Sequence, residues 1–444
     1  MSDRTAGRGA EMETLTIISV AFLVLIFAGI PVAYSMVLTS GAYFLLLNPG
    51  VPTTIVSQRA ITQISESWTI LAVPLFLLAG RLLNDSGMTA RLVDFAVAVV
   101  GHIRGGLGHA VVVANVIMAG MSGSATSDAA GIGAIMIPAL RKAGFSASYA
   151  AALCASAATI GPIIPPSIAM VLYSSLSGAS LGRLLLAGVL PGLVMGLLLM
   201  MDLFFLSESG RSTRTRFEWR RVAATARDAV LALVMPVVIL GGMFGGIYTP
   251  TEAAAVAVAY ALLVGVGIYR TLTLKAIFQA LKDIGTTTGA VLLVVGGASS
   301  ISWIMTAERT GEVLQPLFLP FQSSPGLTLV TIALVTVILG TAMEEVTMLV
   351  LMTPILAPIV QAAGIDPVHF GLVFVLATMI GLITPPVGVS MFLVCQIADI
   401  TVNQFTRAVI RPFLALMLAL FVVSLWGDLV LFLPNLIMGA PGGR

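Results

Sequence analysis

Charge is the scarcest feature of this chain. Of its 444 residues only 9% are Asp, Glu, Lys or Arg, against about a quarter in an ordinary soluble domain. Hydrophobic residues make up 58%, and mean hydropathy is +1.06. So little charge excludes a water-solvated globular fold. Lysine occurs only at Lys142, Lys275 and Lys282, none of them followed by Ser or Thr, so the chain has no phosphate-binding Gly-Lys-Ser/Thr loop and no nucleotide hydrolysis of that kind. The histidines are three, His102, His109 and His369, and the cysteines two, Cys154 and Cys395; none has metal-ligand spacing, which argues against a zinc or haem centre. Both cysteines lie in apolar segments and read as buried thiols, not as a disulfide. A net charge of +2 is too small to point to nucleic acid. The tail, residues 1–13, is polar and mixed in charge. It lacks the form of a cleavable signal peptide, so the first span is expected to double as the insertion signal.

What is present is length and apolarity. Stretches of roughly 20 apolar residues recur along almost the whole chain, each long enough to cross about 30 Å of hydrocarbon. The fold class is therefore an all-α polytopic membrane protein. The chain also repeats itself. Residues 120–166 align without a gap on 340–386 at an offset of 220: Gly120 with Gly340, Pro138 with Pro358, Gly144 with Gly364, Gly161 with Gly381, and Pro165-Pro166 with Pro385-Pro386. The first repeat is taken as 14–208 and the second as 228–436. A basic connector at 209–227 joins them, and a tail follows at 437–444.

Charge placement orients the halves. The connector carries Arg211, Arg214, Arg216, Arg220, Arg221 and Arg227, which the positive-inside rule assigns to the cytoplasm. A layout of five crossings, one re-entrant hairpin and one arm helix per half puts 16 of the 22 basic residues inside. Arg4, Arg8, Arg59, Arg183, Arg309 and Arg444 are left outside. Arg141-Lys142, at the end of the first hairpin, correspond to Gln361-Ala362 in the second, as inverted-topology repeats require.

Each half contains two segments that cannot be simple spans. Residues 107–142 and 327–362 are too long for one crossing and too short for two with a loop. Their centres are polar, Ser122-Gly-Ser-Ala-Thr-Ser-Asp128 and Glu344-Glu345, so each reads as a re-entrant hairpin with its tip at mid-depth. Residues 146–178 and 366–398 are interrupted by Gly161–Pro166 and Gly381–Pro386, and paired prolines unwind a helix. Unwound backbone at that depth is tolerated where it lines a cavity or is buried in protein. Two tips and two breaks thus point to one site, where carbonyls and hydroxyls suit a hard cation and half-helix N-termini suit an anion. Ser122, Ser124 and Thr126 are candidate ligands. Asp128 reads as a helix cap in preference to a cation neighbour. Ser156, Thr159 and Ser174 read as structural hydroxyls that bond the preceding turn. Glu344 and Glu345 are costly at mid-depth, about 2.5–3.5 kcal/mol on insertion scales, so at least one should be protonated, paired or near a cation.

These runs, together with Ile137-Pro-Ala-Leu-Arg-Lys-Ala-Gly144, Gly161-Pro-Ile-Ile-Pro-Pro-Ser167, Gly246-Ile-Tyr-Thr-Pro-Thr-Glu-Ala254, Ile365-Asp-Pro-Val-His-Phe-Gly371 and Gly381-Leu-Ile-Thr-Pro-Pro-Val-Gly388, resemble the large membrane subunit of TRAP (tripartite ATP-independent periplasmic) transporters. The resemblance extends from about Leu15 to Asn435. It implies a sodium-driven importer of small organic acids with an elevator movement in the bacterial inner membrane. It also implies a periplasmic substrate-binding protein and a small four-helix membrane subunit, expected here on a separate chain. No cofactor is implied beyond sodium as coupling ion. Sodium would be held by Ser122, Gly123, Ser124 and Thr126 with the Gly161–Pro166 break, and by Gly340 and Thr341 with the Gly381–Pro386 break. The full candidate set adds Asp128, Ser167, Glu344, Glu345, Thr384 and Gly388. One departure is Gly340-Thr-Ala-Met-Glu-Glu345, with two acids where the family more often has one. Two rivals are a self-sufficient sodium-coupled dicarboxylate carrier and, from another class, an intramembrane serine protease built on Gly120-Met-Ser122-Gly123 with His109 as base.

Overall fold

The computed structural model describes residues 2–66, 68–206, 217–308 and 324–440; Arg211, Arg214, Arg216, Arg309 and Arg444 lie outside them. Every regular element among the described residues is a helix. The first half runs α1 Ser2–Phe27, α2 Val32–Ala42, α3 Thr54–Glu66, α4 Ala72–Asp85, α5 Met88–Val100, α6 Gly106–Ser122, α7 Ala125–Lys142, α8 Ala147–Ala158, α9 Ile168–Ser177 and α10 Leu181–Leu206. The second half runs α11 Trp219–Phe244, α12 Pro250–Leu262, α13 Leu274–Ala307, α14 Pro325–Gly340, α15 Glu345–Ala362, α16 Pro367–Gly381, α17 Val389–Ala398 and α18 Val402–Leu425, and α19 Gly427–Met438 ends the bundle.

Local chemistry sets many of these boundaries. Thr249 and Glu252 form a capping box around Pro250 at the start of α12, and Thr401 with Gln404 does the same for α18. Ser146 caps α8 and Asp366 caps α16, at equivalent positions of the repeat. Helix α11 starts at Trp219, so Arg220, Arg221 and Arg227 stand on it and the span begins earlier than the apolar run alone suggests. The helix continues to propagate once nucleated, because Trp219–Arg227 holds no Pro or Gly to stop it.

The offset of 220 survives in three dimensions. Residues 125–142 and 345–362 are the two second hairpin arms, and α8 and α16 start at 147 and 367. One pair differs. Where the second half has the single 34-residue α13, the first half has two helices, α3 and α4, bent by 72°. Among the described residues, five helices are long and apolar enough to cross a membrane: α10, α11, α12 with its continuation to Ile268, α13 and α18. The hairpin arms, at 16–18 residues, are about 24–27 Å long and return before crossing.

The inversion is visible in a single contact. Helix α8 begins where the first hairpin ends, and the broken helix carries the chain across to the end of α9. There the Tyr173 hydroxyl donates to the Pro367 carbonyl at 2.8 Å, five residues beyond the second hairpin. The hairpins therefore enter from opposite faces. They also interlock, since α15 packs on α9 and α7 on α17. Exposed charges agree with this layout. Arg81 meets Asp85 (2.8 Å) and Asp283 (3.8 Å), Arg411 meets Asp202 (3.2 Å), and Arg91 lies over the Tyr269 ring. These join segments assigned to the cytoplasmic face. Arg183 donates to the Gly439 carbonyl and to Asn435 on the other. Such exposed pairs add little stability; they mark the ends of the bundle.

Candidate functional site

The first tip is a two-residue turn between α6 and α7. Gly123 sits at φ +61°, and a Cβ there would come within 2.5 Å of the Pro166 carbonyl oxygen, so only glycine lets the tip close on the break. The Gly123 carbonyl in turn accepts from the Ile168 N–H at 3.4 Å. Ser124 occupies the N-cap position of α7, but its side chain makes no capping bond; it pairs with the Thr126 hydroxyl at 3.2 Å.

Asp128 is not a cap. It lies inside the first turn of α7, fully buried, and accepts a hydrogen bond from the Ser122 hydroxyl. A cap must precede its helix, and the turn at Gly123 gives that position to Ser124. The second carboxylate oxygen, Oδ2, has no partner among the described residues and points at Gly161, where a Cβ would collide with it. The surrounding break, 159–167, is buried throughout, including Pro165, Pro166 and Ser167. The Ser167 hydroxyl accepts from Met170 N at 3.2 Å and donates to the Pro162 carbonyl, which caps α9 and ties off the unwound strand.

The second tip solves the same problem differently. Gly340 and Gly381 bring the backbones of α14 and α16 together so closely that a Cβ on Gly381 would lie 2.7 Å from Gly340 Cα. The Thr341 carbonyl accepts from both Val387 N and Gly388 N at 3.1 Å, and the hydroxyls of Thr341 and Thr384 bond their own preceding turns. Glu344 is the N-cap of α15 and accepts from Val346 N and Thr347 N. Glu345 is buried at 7% exposure, and its Oε1 has no partner among the described residues. This break is more open than the first, with Pro386 and Val387 exposed. In both breaks the Pro-Pro peptide is cis.

Between the tips lies a cavity of about 650 Å³. Ser124 and Thr126 face it from one side, Glu344 and Glu345 from the other. Its remaining walls come from the start of α2 with Tyr34, from α4, and from α13 with Thr287. The structure therefore gathers the two tips and sets the breaks behind them: Gly161, Pro165, Pro166, Ser167, Gly381, Thr384, Pro385, Pro386 and Gly388 brace the tips without lining the space, and of the first broken helix only Ile168 reaches it. Ser122, Gly123, Asp128, Gly340 and Thr341 likewise sit behind it. Sequence reasoning missed Tyr34 and Thr287; the run Thr286-Thr287-Thr288 inside an apolar helix is the one signal that marked α13. Thr159 bonds the preceding turn as a structural hydroxyl does, whereas Ser174 donates forward to Ala179 O and Ser156 Oγ has no partner among the described residues. The protease arrangement fails on distance. His109 and Ser122 are thirteen residues apart on the one helix α6, about 20 Å, and the serine already donates to Asp128.

Known proteins match this architecture and this sequence together. The family model for the tripartite ATP-independent periplasmic transporter, DctM component, matches residues 19–428. The sialic acid TRAP transporter large permease protein SiaM of Vibrio cholerae is 39% identical over 94% of this chain and 98% of its own length. The 2,3-diketo-L-gulonate TRAP transporter large permease protein YiaN of Escherichia coli is 34% identical over 92% and 95%. The C4-dicarboxylate TRAP transporter large permease protein DctM of Pseudomonas aeruginosa is 36% identical over 84% and 88%. Among solved structures, the YdaH transporter of Alcanivorax borkumensis aligns with TM-score 0.60 over 83% of this chain and 87% of its own at 13% identity, a likeness of fold alone. With its paired hairpins and broken helices, the chain belongs to the DctM family of TRAP transporters and is a large permease, a multi-pass protein of the inner membrane.

Proposed function

We propose that the cavity between the tips carries a small organic acid, coupled to sodium, after delivery by a periplasmic binding protein. The observation that carries this reading is the pairing across the cavity of an uncapped helix N-terminus with a carboxylate-bearing one. At α7 no side chain caps the first turn, and Ser124 and Thr126 at that helix start line the space, which suits a substrate carboxylate. At α15 Glu344 already fills that role. Two glutamates beside an anion site would repel the substrate unless a cation neutralised them. The buried unpartnered oxygens, Asp128 Oδ2 behind the first tip and Glu345 Oε1 at the second, are hard donors of the kind sodium takes. A volume of about 650 Å³ fits an acid of sugar size or smaller. The named substrates of the relatives, sialic acid, 2,3-diketo-L-gulonate and C4-dicarboxylates, fall in that range.

The energetics are adequate without ATP. A tenfold sodium gradient supplies about 1.4 kcal/mol per ion, and each net charge moved adds about 2.3 kcal/mol per 100 mV. The interlocked hairpins and broken helices form the moving body, and α3, α4 and α13 part of the wall it slides along, an elevator movement. A small membrane subunit completes the permease. The test is reconstitution. The ligand of the cognate binding protein is first identified by a thermal-shift screen. Uptake of that ligand into proteoliposomes should then require an inward sodium gradient, the small subunit and the loaded binding protein. Rapid uptake of free ligand by the isolated chain would favour the self-sufficient carrier, and drive by a proton gradient alone would remove sodium.

A further inference from the structure

A second cavity, of about 400 Å³, lies further along α13 and has none of the tip residues in its wall. Helix α13 lines both: residues 287–294 wall the larger one and 298–306 the smaller, about 17 Å apart along the helix. Between them α13 closes against its neighbours, Gly296 on Ala60 of α3 and Gly297 on Met36 of α2. The smaller cavity is polar. Arg59, Thr62 and Gln63 enter it from α3, Ser302 and Trp303 from α13, and Pro354 from the second hairpin. Positive-inside placement puts Arg59 and the Ala307 end of α13 on the outer face. The larger cavity has no Arg or Lys in its wall. Arg59 is exposed and has no ion-pair partner among the described residues.

We infer that this outer cavity is an anion subsite in which Arg59 takes a carboxylate of the incoming substrate before the hairpin tips receive it. The inference rests on the organic-acid reading above and adds to it a specificity residue. A guanidinium presents a planar fork matched to a carboxylate, and Thr62, Gln63 and Ser302 surround it with neutral hydrogen-bonding groups that tolerate varied substrate bodies. One wall belongs to α3 and α13, and the other to Pro354 of the second hairpin and to Ser175 and Leu176 at the end of α9. An anion held here is therefore within reach of the hairpin when the tips move outward along α13.

Trp303 reports on the cavity from inside. The full chain, with Trp68, Trp219 and Trp426 replaced by Phe, is placed in nanodiscs of neutral lipid, and Trp303 emission is quenched with iodide and, separately, with neutral acrylamide. Arg59→Gln should lower the iodide quenching constant about threefold, the enrichment one nearby unit charge gives a small anion. Acrylamide quenching should be unchanged, and Arg59→Lys should restore most of the iodide effect. Acetate should suppress iodide quenching more than chloride does at equal ionic strength, and only when Arg59 is present. Equal iodide quenching in Arg59→Gln and the parent would overturn the subsite. Acetate no better than chloride would overturn its assignment to carboxylates. A parallel change in acrylamide quenching would show a structural role for Arg59 instead. Sodium and binding protein are absent throughout, so a failure of the transport reading leaves this measurement standing.

Discussion

The two halves of this permease share a backbone plan and place their acid groups differently. In the first half the carboxylate is four residues beyond the tip, at Asp128, sealed behind the cavity against Gly161 and bonded to Ser122. The repeat-equivalent position in the second half is Met348. There the acids are at the tip itself, Glu344 and Glu345, where the first half has Ser124 and Ala125. One hairpin thus offers hydroxyls and an uncapped helix start to the cavity, and the other offers carboxylates. Duplicated scaffolds give two equivalent positions, and substitutions at 124/344, 125/345 and 128/348 place the carboxylate behind the cavity in one half and in its wall in the other.

The sharpest way to break this comparison is to deny that the halves face opposite ways. Lys142 and Gln361 end the two hairpins, and both are exposed. In intact cells a cysteine at Lys142 should be protected from an impermeant thiol reagent and one at Gln361 fully reactive, an all-or-none difference. The native Cys154 and Cys395 are buried and serve as an internal blank. Equal labelling of both would end the inverted arrangement.

Next in size is the pair of buried acids. Removing a charged partner from a buried site costs about 1.5–3 kcal/mol, roughly a 10- to 100-fold change in an equilibrium constant. Asp128→Asn should raise the sodium concentration for half-maximal uptake by that order. Glu345→Gln should raise it less, because Glu345 borders the cavity and water can take over part of its role. A larger effect at Glu345 would move the principal cation site to the second tip. Below this comes the tip turn. Gly123→Ala places a side chain in a left-handed conformation against Pro166, at a cost of roughly 1–2 kcal/mol or more, and should lower Tm by several degrees. The equivalent Met343 has no positive φ, so Met343→Ala should change Tm less; scanning fluorimetry in detergent compares the two.

The smallest effects belong to the hydroxyls. Ser124→Ala and Thr126→Ala each remove one neutral hydrogen-bonding group, about 0.5–1.5 kcal/mol, and should shift half-saturating sodium or substrate two- to tenfold. Ser174→Ala, whose hydroxyl serves only the end of α9, should leave sodium dependence unchanged. A shift at Ser174 as large as at Ser124 would separate the tips from the ion.

Much of this was legible in the linear chain because membranes impose one-dimensional rules. Hydrocarbon thickness sets span length, and unwound backbone must be buried or line a cavity. Paired prolines end helices wherever they stand. The hairpins near 107–142 and 327–362 and the breaks around Gly161 and after Gly381 follow from those rules, and the offset of 220 is read directly by aligning the chain on itself. Side-chain roles did not follow, because they depend on which turn a residue occupies. Asp128 has the composition of a cap but stands four residues too late, a fact settled by the left-handed turn at Gly123. Equal spacing of tips and breaks suggested a single ring of ligands. Tertiary packing instead put the breaks behind the tips and opened the cavity toward α2, α4 and α13, elements whose sequence carries only Tyr34 and a threonine run to mark them. The bend between α3 and α4, against the continuous α13, was equally invisible, since both stretches are apolar enough to be helical. Sequence determined where the backbone must break, since hydrogen bonding along one chain decides that. Only the tertiary structure decided which polar atoms face each other across the breaks, because that depends on chains meeting in space.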